Sequence, residues 1–366
     1  MSSPSPLRVE DCEVHDYAII DGRPIQFDYW GPTSGSSPRP AIVFFHGGKL
    51  ITSNRRALVP LWLKQLAYTQ NWAFISADYR LLVPATGQDI LADVRALFAY
   101  IHAKFSTIDH ENIVVFGSSA GAYPARLAGL WIEPRPKAIA LIYGRSGDFL
   151  SPSYLKAPTS WPEAITSNPS VNAAITELLR PSPGSKLRPE WDIVEKDQAQ
   201  CTPLSATTPG GVRESRILWA AMMAEGVVLD YVTGIPGLGA RIREALAKEN
   251  LDETATSEAR EVLLVQQGIV PSQAREVIPQ LQLTTPEFKS KPPFPPTYLL
   301  HGLEDSHVLP LESQRMYDQL QEQNVSVEVA WVPGEGHCFD WCREEEDGVR
   351  EPLKAMEDWL IKQVNT

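Results

Sequence analysis

The stretch Ile113-Val114-Val115-Phe116-Gly117-Ser118-Ser119-Ala120-Gly121-Ala122 decides how this chain is read. Four β-prone apolar residues run into Gly-x-Ser-x-Gly, and Ala120–Leu130 then reads as a helix. A strand, a sharp turn and a helix in that order lift the Ser119 hydroxyl above the edge of a sheet. Small residues beside it let neighbouring backbone pass close by. The helix start aims free N–H groups and a positive dipole end at developing negative charge. Without these flanks, the five residues would be no more than a Gly/Ser strand-to-helix turn.

The same alternation recurs on both sides. Tyr17–Ile20 and Ile25–Tyr29 are short β-prone runs joined by Asp21-Gly22, which predicts a hairpin. Gly31 to Pro40 is a Gly/Ser/Pro loop. Ala41–Phe45 is a continuous apolar run, as suits a parallel strand buried on both faces, and it ends at His46-Gly47-Gly48. Pro60–Tyr68 reads as a helix with proline in its first turn, and Ala73–Ala77 as a strand. Asp89–Ala103 carries Ile90, Leu91, Val94, Leu97, Phe98 and Ile101 at helical spacing, and Ala138–Tyr143 reads as a strand.

From about Asp148 to Ser290 the pattern turns irregular and Pro-rich, with helical patches at Val171–Leu179, Glu214–Ala224, Arg241–Glu249 and Glu258–Gln267. Alternation resumes at Thr297–His301, Leu311–Gln323, Ser326–Trp331 and Arg350–Val364. The expected organisation is therefore one α/β core, residues 1–147 and 291–366. A helical cap, 148–290, is inserted into it, because the sheet signals on either side continue one another. No repeat of 20–50 residues is visible. The acidic run Glu344–Asp347 reads as a solvated loop or a helix start.

Composition narrows the function. The chain has 366 residues, enough for two or three domains or one elaborated domain, and 43% are hydrophobic, which excludes a disordered chain. Thirty-one prolines predict many rigid turns. With 33 basic and 45 acidic residues the net charge is −12, which argues against a nucleic-acid partner. No run reaches the ~18–20 apolar residues of a membrane-spanning helix. Met1 to Glu13 is Ser/Pro-rich and then acidic, without the basic and apolar regions of a signal peptide. Four scattered cysteines (Cys12, Cys201, Cys338, Cys342) do not make a disulfide framework, so a reducing, cytoplasmic setting is expected.

A serine hydroxyl needs a base, and the base needs an orienting acid. His337 fits the base: it ends a Gly-rich loop, Val332-Pro333-Gly334-Glu335-Gly336-His337, after a late strand. His15, His102 and His110 lie away from any strand's C-terminal end, while His46 and His301 precede glycines and are read as shaping their loops. Asp305 is the favoured acid, in the loop after Thr297–His301. Glu304 beside it and Asp148 after Ala138–Tyr143 are lesser rivals. The chain order Ser119, Asp305, His337 is the one expected on an α/β sheet of this kind. Gly47 and Gly48, with the N–H of Ala120, are the expected donors to an oxyanion.

Together these stretches resemble an α/β-hydrolase of the esterase/lipase superfamily, and most nearly its branch with a His-Gly-Gly oxyanion loop, the hormone-sensitive-lipase-like and kynurenine-formamidase-like enzymes. The resemblance rests on His46-Gly47-Gly48, Asp78-Tyr79-Arg80-Leu81, Gly117–Gly121, His301-Gly302-x-x-Asp305 and Gly336-His337. It covers roughly residues 15–147 and 291–366. The cap resembles, more weakly, those of fungal hydrolases of secondary metabolism. Two departures blur the subfamily: Lys49 stands where a third glycine is usual, and Asp-Tyr-Arg-Leu continues as Leu82-Val83-Pro84. Asp78 and Arg80 are structural rather than catalytic in such enzymes.

What the resemblance implies is an α/β-hydrolase fold, a mostly parallel sheet flanked by helices with a large helical cap. The implied chemistry is a cofactor-free serine hydrolase acting on an ester or thioester of a hydrophobic, mid-sized, polyketide-like substrate. An acyltransferase or cyclase using the same acyl-serine is the alternative, and a non-catalytic binding protein the remote one. Trp219, Met222 and Met223 are candidate pocket residues of the cap, more often core at such spacing. Cys338 and Cys342 beside His337 are a weak metal signal, and Gly234-Ile235-Pro236-Gly237-Leu238-Gly239 a weak nucleotide signal. A monomer or homodimer is expected.

Overall fold

The computed structural model describes residues 11–32, 37–83, 85–145, 149–151, 153–155, 157–167, 169–179, 211–251, 259, 262–283, 293–341 and 346–366. Asp148, Cys201, Cys342 and much of the acidic run 344–347 lie outside the described residues.

The apolar runs form one eight-stranded sheet: β1 (Glu13–Ile20), β2 (Arg23–Trp30), β3 (Arg39–Phe45), β4 (Ala73–Ala77), β5 (Ile108–Ser118), β6 (Ala138–Ile142), β7 (Thr297–Gly302) and β8 (Val327–Val332). The spatial order is β1-β2-β4-β3-β5-β6-β7-β8. The β1–β2 and β2–β4 pairs are antiparallel and all others parallel. Asp21 and Gly22, both with positive φ, make the hairpin turn.

The helices of the core are α1 (Leu61–Thr69), α2 (Gly87–Lys104), α3 (Ala122–Trp131), α11 (Pro310–Glu322) and α12 (Asp347–Val364). Thr86 starts α2 with a capping box to Asp89. Strand residues alternate between two apolar layers. Val43, Ile75 and Val115 pack with Leu91, Val94 and Leu127 of α2 and α3, and with Leu320 of α11. Phe44, Phe74 and Phe116 pack with Trp62, Leu63 and Leu66 of α1 and with Leu353, Met356 and Leu360 of α12. Each such side chain contributes about 1.5–3 kcal/mol on burial, which is why the strands read as unbroken apolar runs.

Seven described α-helices lie between β6 and β7: α4 (Glu163–Thr166), α5 (Pro169–Leu178), α6 (Gly211–Glu225), α7 (Val228–Thr233), α8 (Leu238–Lys248), α9 (Ser272–Arg275) and α10 (Pro279–Gln282), with a π-helical turn at Val262–Gln266. Their apolar faces continue the layer over α2 and α3, with Met222, Val232, Leu264 and Val277 in the same cluster as Val94 and Tyr123. The Tyr123 hydroxyl donates to the Val277 carbonyl (2.8 Å) and the Trp131 indole N–H to that of Glu276 (3.0 Å). The Gly234–Gly239 stretch is a helix-to-helix turn. Gly234 closes α7, and the Asp230 carboxylate accepts from the N–H groups of Gly237 (2.6 Å) and Gly239 (2.8 Å). Among the described residues no helix is long and apolar enough to cross a membrane, and no cluster of His, Cys, Asp and Glu could hold a metal ion.

Candidate active site

Ser119 sits where β5 passes into α3, at the start of a short 3-10 turn, Ser119–Gly121. Its φ of 49° is left-handed, a conformation that costs a non-glycine residue of order 1–3 kcal/mol and that makes a tight strand-to-helix elbow. Gly121 makes the elbow possible: a Cβ there would stand 2.0 Å from the Phe45 carbonyl oxygen at the end of β3. Gly121→Ala is therefore expected to destabilise the fold by about 1–3 kcal/mol as β3 and the turn are forced apart, read as a lowered Tm in thermal denaturation.

His337 and Asp305 come from the loops after β8 and β7. The loops meet backbone to backbone: Glu304 N–H donates to the Glu335 carbonyl (2.8 Å), and a Cβ on Gly302 would lie 2.3 Å from that oxygen. This contact sets His337 beside Asp305, and the three separated residues fall into one line. His337 Nδ1 is 2.7 Å from Asp305 Oδ2, and Nε2 is 3.0 Å from Ser119 Oγ. A carboxylate only accepts, so Nδ1 carries the proton and the Nε2 lone pair faces the hydroxyl. Such a chain can draw the serine proton onto the imidazole as the oxygen attacks.

Asp305 is 3% exposed and receives four donors. Oδ1 accepts from the N–H groups of His307 (2.8 Å) and Val308 (3.0 Å), and Oδ2 from His337 and from His301 Nε2 (3.2 Å). Burial alone would raise its pKa; the hydrogen bonds from His301 and His337, with those of the backbone, outweigh it and hold the carboxyl well below the usual carboxylate range. Glu304 is exposed.

His301 is more than a loop-shaping residue. Its Nε2 lies between two pure acceptors, Asp305 Oδ2 and the Val308 carbonyl (2.9 Å), while Nδ1 accepts from the Ser313 hydroxyl (2.7 Å). It shares the Asp305 Oδ2 oxygen with His337 and so helps to fix that carboxylate. Tyr143 also escaped the sequence. Its ring packs on His337 with centroids 4.7 Å apart, and its hydroxyl donates to Asp340 (2.6 Å), which also receives the Trp62 indole N–H (2.9 Å). Burial pushes the Tyr143 phenol well up, so it remains a donor. Neither residue carries a motif; only the folded neighbourhood gives them a role.

The expected oxyanion residues border the elbow. A Cβ on Gly47 would stand 3.2 Å from Ser119 Cβ, Ala120 is fully buried beside it, and Gly48 turns the chain with its carbonyl accepting from Ile51 (3.1 Å) and Thr52 (3.0 Å). Lys49, at φ 59°, takes the left-handed conformation without being glycine. The Asp78–Arg80 segment shapes this loop from behind. The Tyr79 ring stacks on His46 (4.4 Å) and its hydroxyl donates to the His46 carbonyl (2.8 Å), while Asp78 pairs with Arg55 (2.7 Å) and Arg80 with Asp93 (2.8 Å). Burial pushes the His46 pKa down, which keeps its ring neutral.

Of the three apolar residues expected to line a pocket, Trp219 and Met222 are buried and Met223 is half-buried. The Trp219 ring faces the guanidinium of Arg145 at 4.8 Å.

Two family models match the chain: BD-FAE over residues 27–137 and the prolyl oligopeptidase family over residues 266–366. A probable carboxylesterase M8 from Phoma sp. is 25% identical over 366 residues, covering 94% of this chain and 91% of its own. A non-reducing polyketide synthase, pkbA of Emericella nidulans, is 21% identical over 378 residues, covering 95% of this chain and 14% of its own length. The 5-methylorsellinic acid synthase of Aspergillus terreus is 23% identical over 364 residues, 94% of this chain and 13% of the synthase. The chain thus spans only a small part of these synthases. Among solved structures, Est2, a thermophilic esterase of Thermogutta terrifontis, superposes with a TM-score of 0.55 at 16% identity, over 98% of this chain and 94% of that one. This likeness is one of fold: the sheet and its flanking helices are those of an α/β-hydrolase.

Proposed function

We propose that this chain is a serine hydrolase on the esterase side of the α/β-hydrolase superfamily, and that it cleaves an ester or thioester of a hydrophobic, mid-sized acyl group through Ser119, His337 and Asp305. Ser119 Oγ attacks the carbonyl carbon while His337 Nε2 takes its proton. Asp305 holds the tautomer and stabilises the imidazolium. The N–H groups of Gly47, Gly48 and Ala120 take the negative charge of the tetrahedral oxygen, where one donor is typically worth about 3–4 kcal/mol. The imidazolium returns its proton to the leaving oxygen or sulfur, and water, deprotonated by the same imidazole, releases the acid. The observation that carries this reading is the unbroken Asp305–His337–Ser119 hydrogen-bond chain.

Residues 148–290 act in this reading as a cap over the core 1–147 and 291–366. Its support is the apolar layer shared with α2 and α3 and the contact of Trp219 with Arg145 beside the elbow. A polyketide-like acyl group fits the apolar cap and the likeness to polyketide synthases. That likeness also favours one second reading: an alcohol or carbon nucleophile, in place of water, captures the acyl-serine. Acyl turnover in the presence of competing alcohols separates the two. Free acid as the sole product at every alcohol concentration is expected of the hydrolase. Acyl transfer that dominates at low millimolar acceptor would replace hydrolysis by transfer.

A further inference from the structure

Arg145 follows β6 by three residues and is 4% exposed. A buried guanidinium is retained where several acceptors need one rigid fork of donors. Here the partners come from five parts of the chain. The Arg145 backbone N–H donates to the Ser119 carbonyl (2.8 Å), fixing the residue against the elbow. One terminal nitrogen donates to the His307 carbonyl (3.0 Å), in the turn whose N–H groups hold Asp305. The other donates to the Tyr154 hydroxyl and lies 3.7 Å from Glu312 of α11, and Tyr154 donates to the same Glu312 oxygen (2.9 Å). The guanidinium carbon lies over the Trp219 ring of α6, 4.8 Å from its centroid. The ring of His307 in turn stacks on His337, 5.4 Å between centroids and 21° between planes.

We infer that Arg145 is a positioning residue that couples the seating of α6 to the alignment of the acid loop. The claim rests on the triad assigned above and goes beyond it. One side chain is shared between the nucleophile's strand-to-helix junction, the turn around Asp305 and the aromatic face of the inserted helices. When Trp219 lies on the guanidinium, the fork is held in the plane that reaches the His307 carbonyl. When the aromatic face is lost, the fork keeps its bonds to the His307 carbonyl and the Tyr154 hydroxyl but is no longer held in one plane, and the turn around Asp305 is braced less firmly.

The test uses the full chain, with competent sites counted by an alkyl fluorophosphonate that labels Ser119. Arg145→Lys keeps the charge but lacks the planar fork. It is expected to lower kcat per labelled site on a small activated ester by about 10- to 100-fold, the cost of a misplacement of order 1 Å, with KM changed less than about threefold. Tyr154→Phe removes one hydroxyl from the cluster, and its loss should be smaller and in the same parameter. The double variant should be no worse than Arg145→Lys alone, since both break one unit. If Arg145→Lys does not fold, Tyr154→Phe and Trp219→Leu carry the same test, with kcat falling and KM held. A wild-type kcat in these variants, a loss confined to KM, or additive losses would overturn the inference. Failure of the wild type to label at Ser119 would instead overturn the proposed reaction.

Discussion

Ser119→Ala is expected to lower kcat by on the order of 10³ or more while leaving the Tm within a few degrees of wild type. The two halves of this result have separate causes. The hydroxyl is the only group lost, and it is the one that His337 Nε2 faces at 3.0 Å. Without it no acyl-enzyme forms, and what remains is the attack of water assisted by the oxyanion donors. The fold, by contrast, is nearly indifferent to the change. Alanine and serine have the same Cβ and meet similar strain at a φ of 49°, so the elbow keeps its shape and its contact with Phe45 through Gly121. Steady-state kinetics on a small ester and thermal denaturation measure both halves. A fluorophosphonate adduct present on wild type and absent from the variant ties the loss to this oxygen. Turnover at the wild-type rate in the variant would remove Ser119 from the mechanism.

The strands around Ser119 were legible because parallel strands buried on both faces leave few polar interruptions. Ala41–Phe45 and Ala138–Ile142 are apolar throughout, Ala73–Ala77 is interrupted only by Ser76, and all three are buried from end to end. Legibility fades where one face meets solvent. The β1 strand begins at Glu13, four residues before the β-prone run at Tyr17, because its outer side is exposed. The β5 strand begins at Ile108, since Asp109, His110 and Glu111 hide a stretch whose register with β3 is irregular. In the site, residues with a chain-order signature could be named. Those defined by what they touch could not. His301 looks like any histidine before a glycine until the turn at 305–308 folds back onto its Nε2. Arg145 carries no local signal, because its partners His307, Glu312 and Trp219 are distant in the chain and belong to three different elements.

Asp305→Asn is expected to be the more damaging of the two carboxyl substitutions in its loop, lowering kcat by on the order of 10⁴, against a few-fold at most for Glu304→Gln. The reason lies in the four donors that converge on Asp305. An amide offers one accepting oxygen and one donating NH2. The His307 and Val308 backbone N–H groups cannot change their role, so the amide oxygen must face them. The NH2 then faces His337 Nδ1 and His301 Nε2, which are both donors in the native arrangement. His337 can answer only by giving up its Nδ1 proton and carrying it on Nε2. In that tautomer it presents a proton to Ser119 Oγ instead of a lone pair, and the base is gone although the geometry survives. His301 has no such escape, since its Nε2 proton also serves the Val308 carbonyl, so a lowered Tm should accompany the loss of rate. Glu304 is exposed and joins the site only through its backbone N–H to Glu335, which Gln retains. Rates per fluorophosphonate-titrated site, measured across pH for both variants, decide the ranking. A Glu304→Gln enzyme slower than Asp305→Asn would move the role of acid to Glu304.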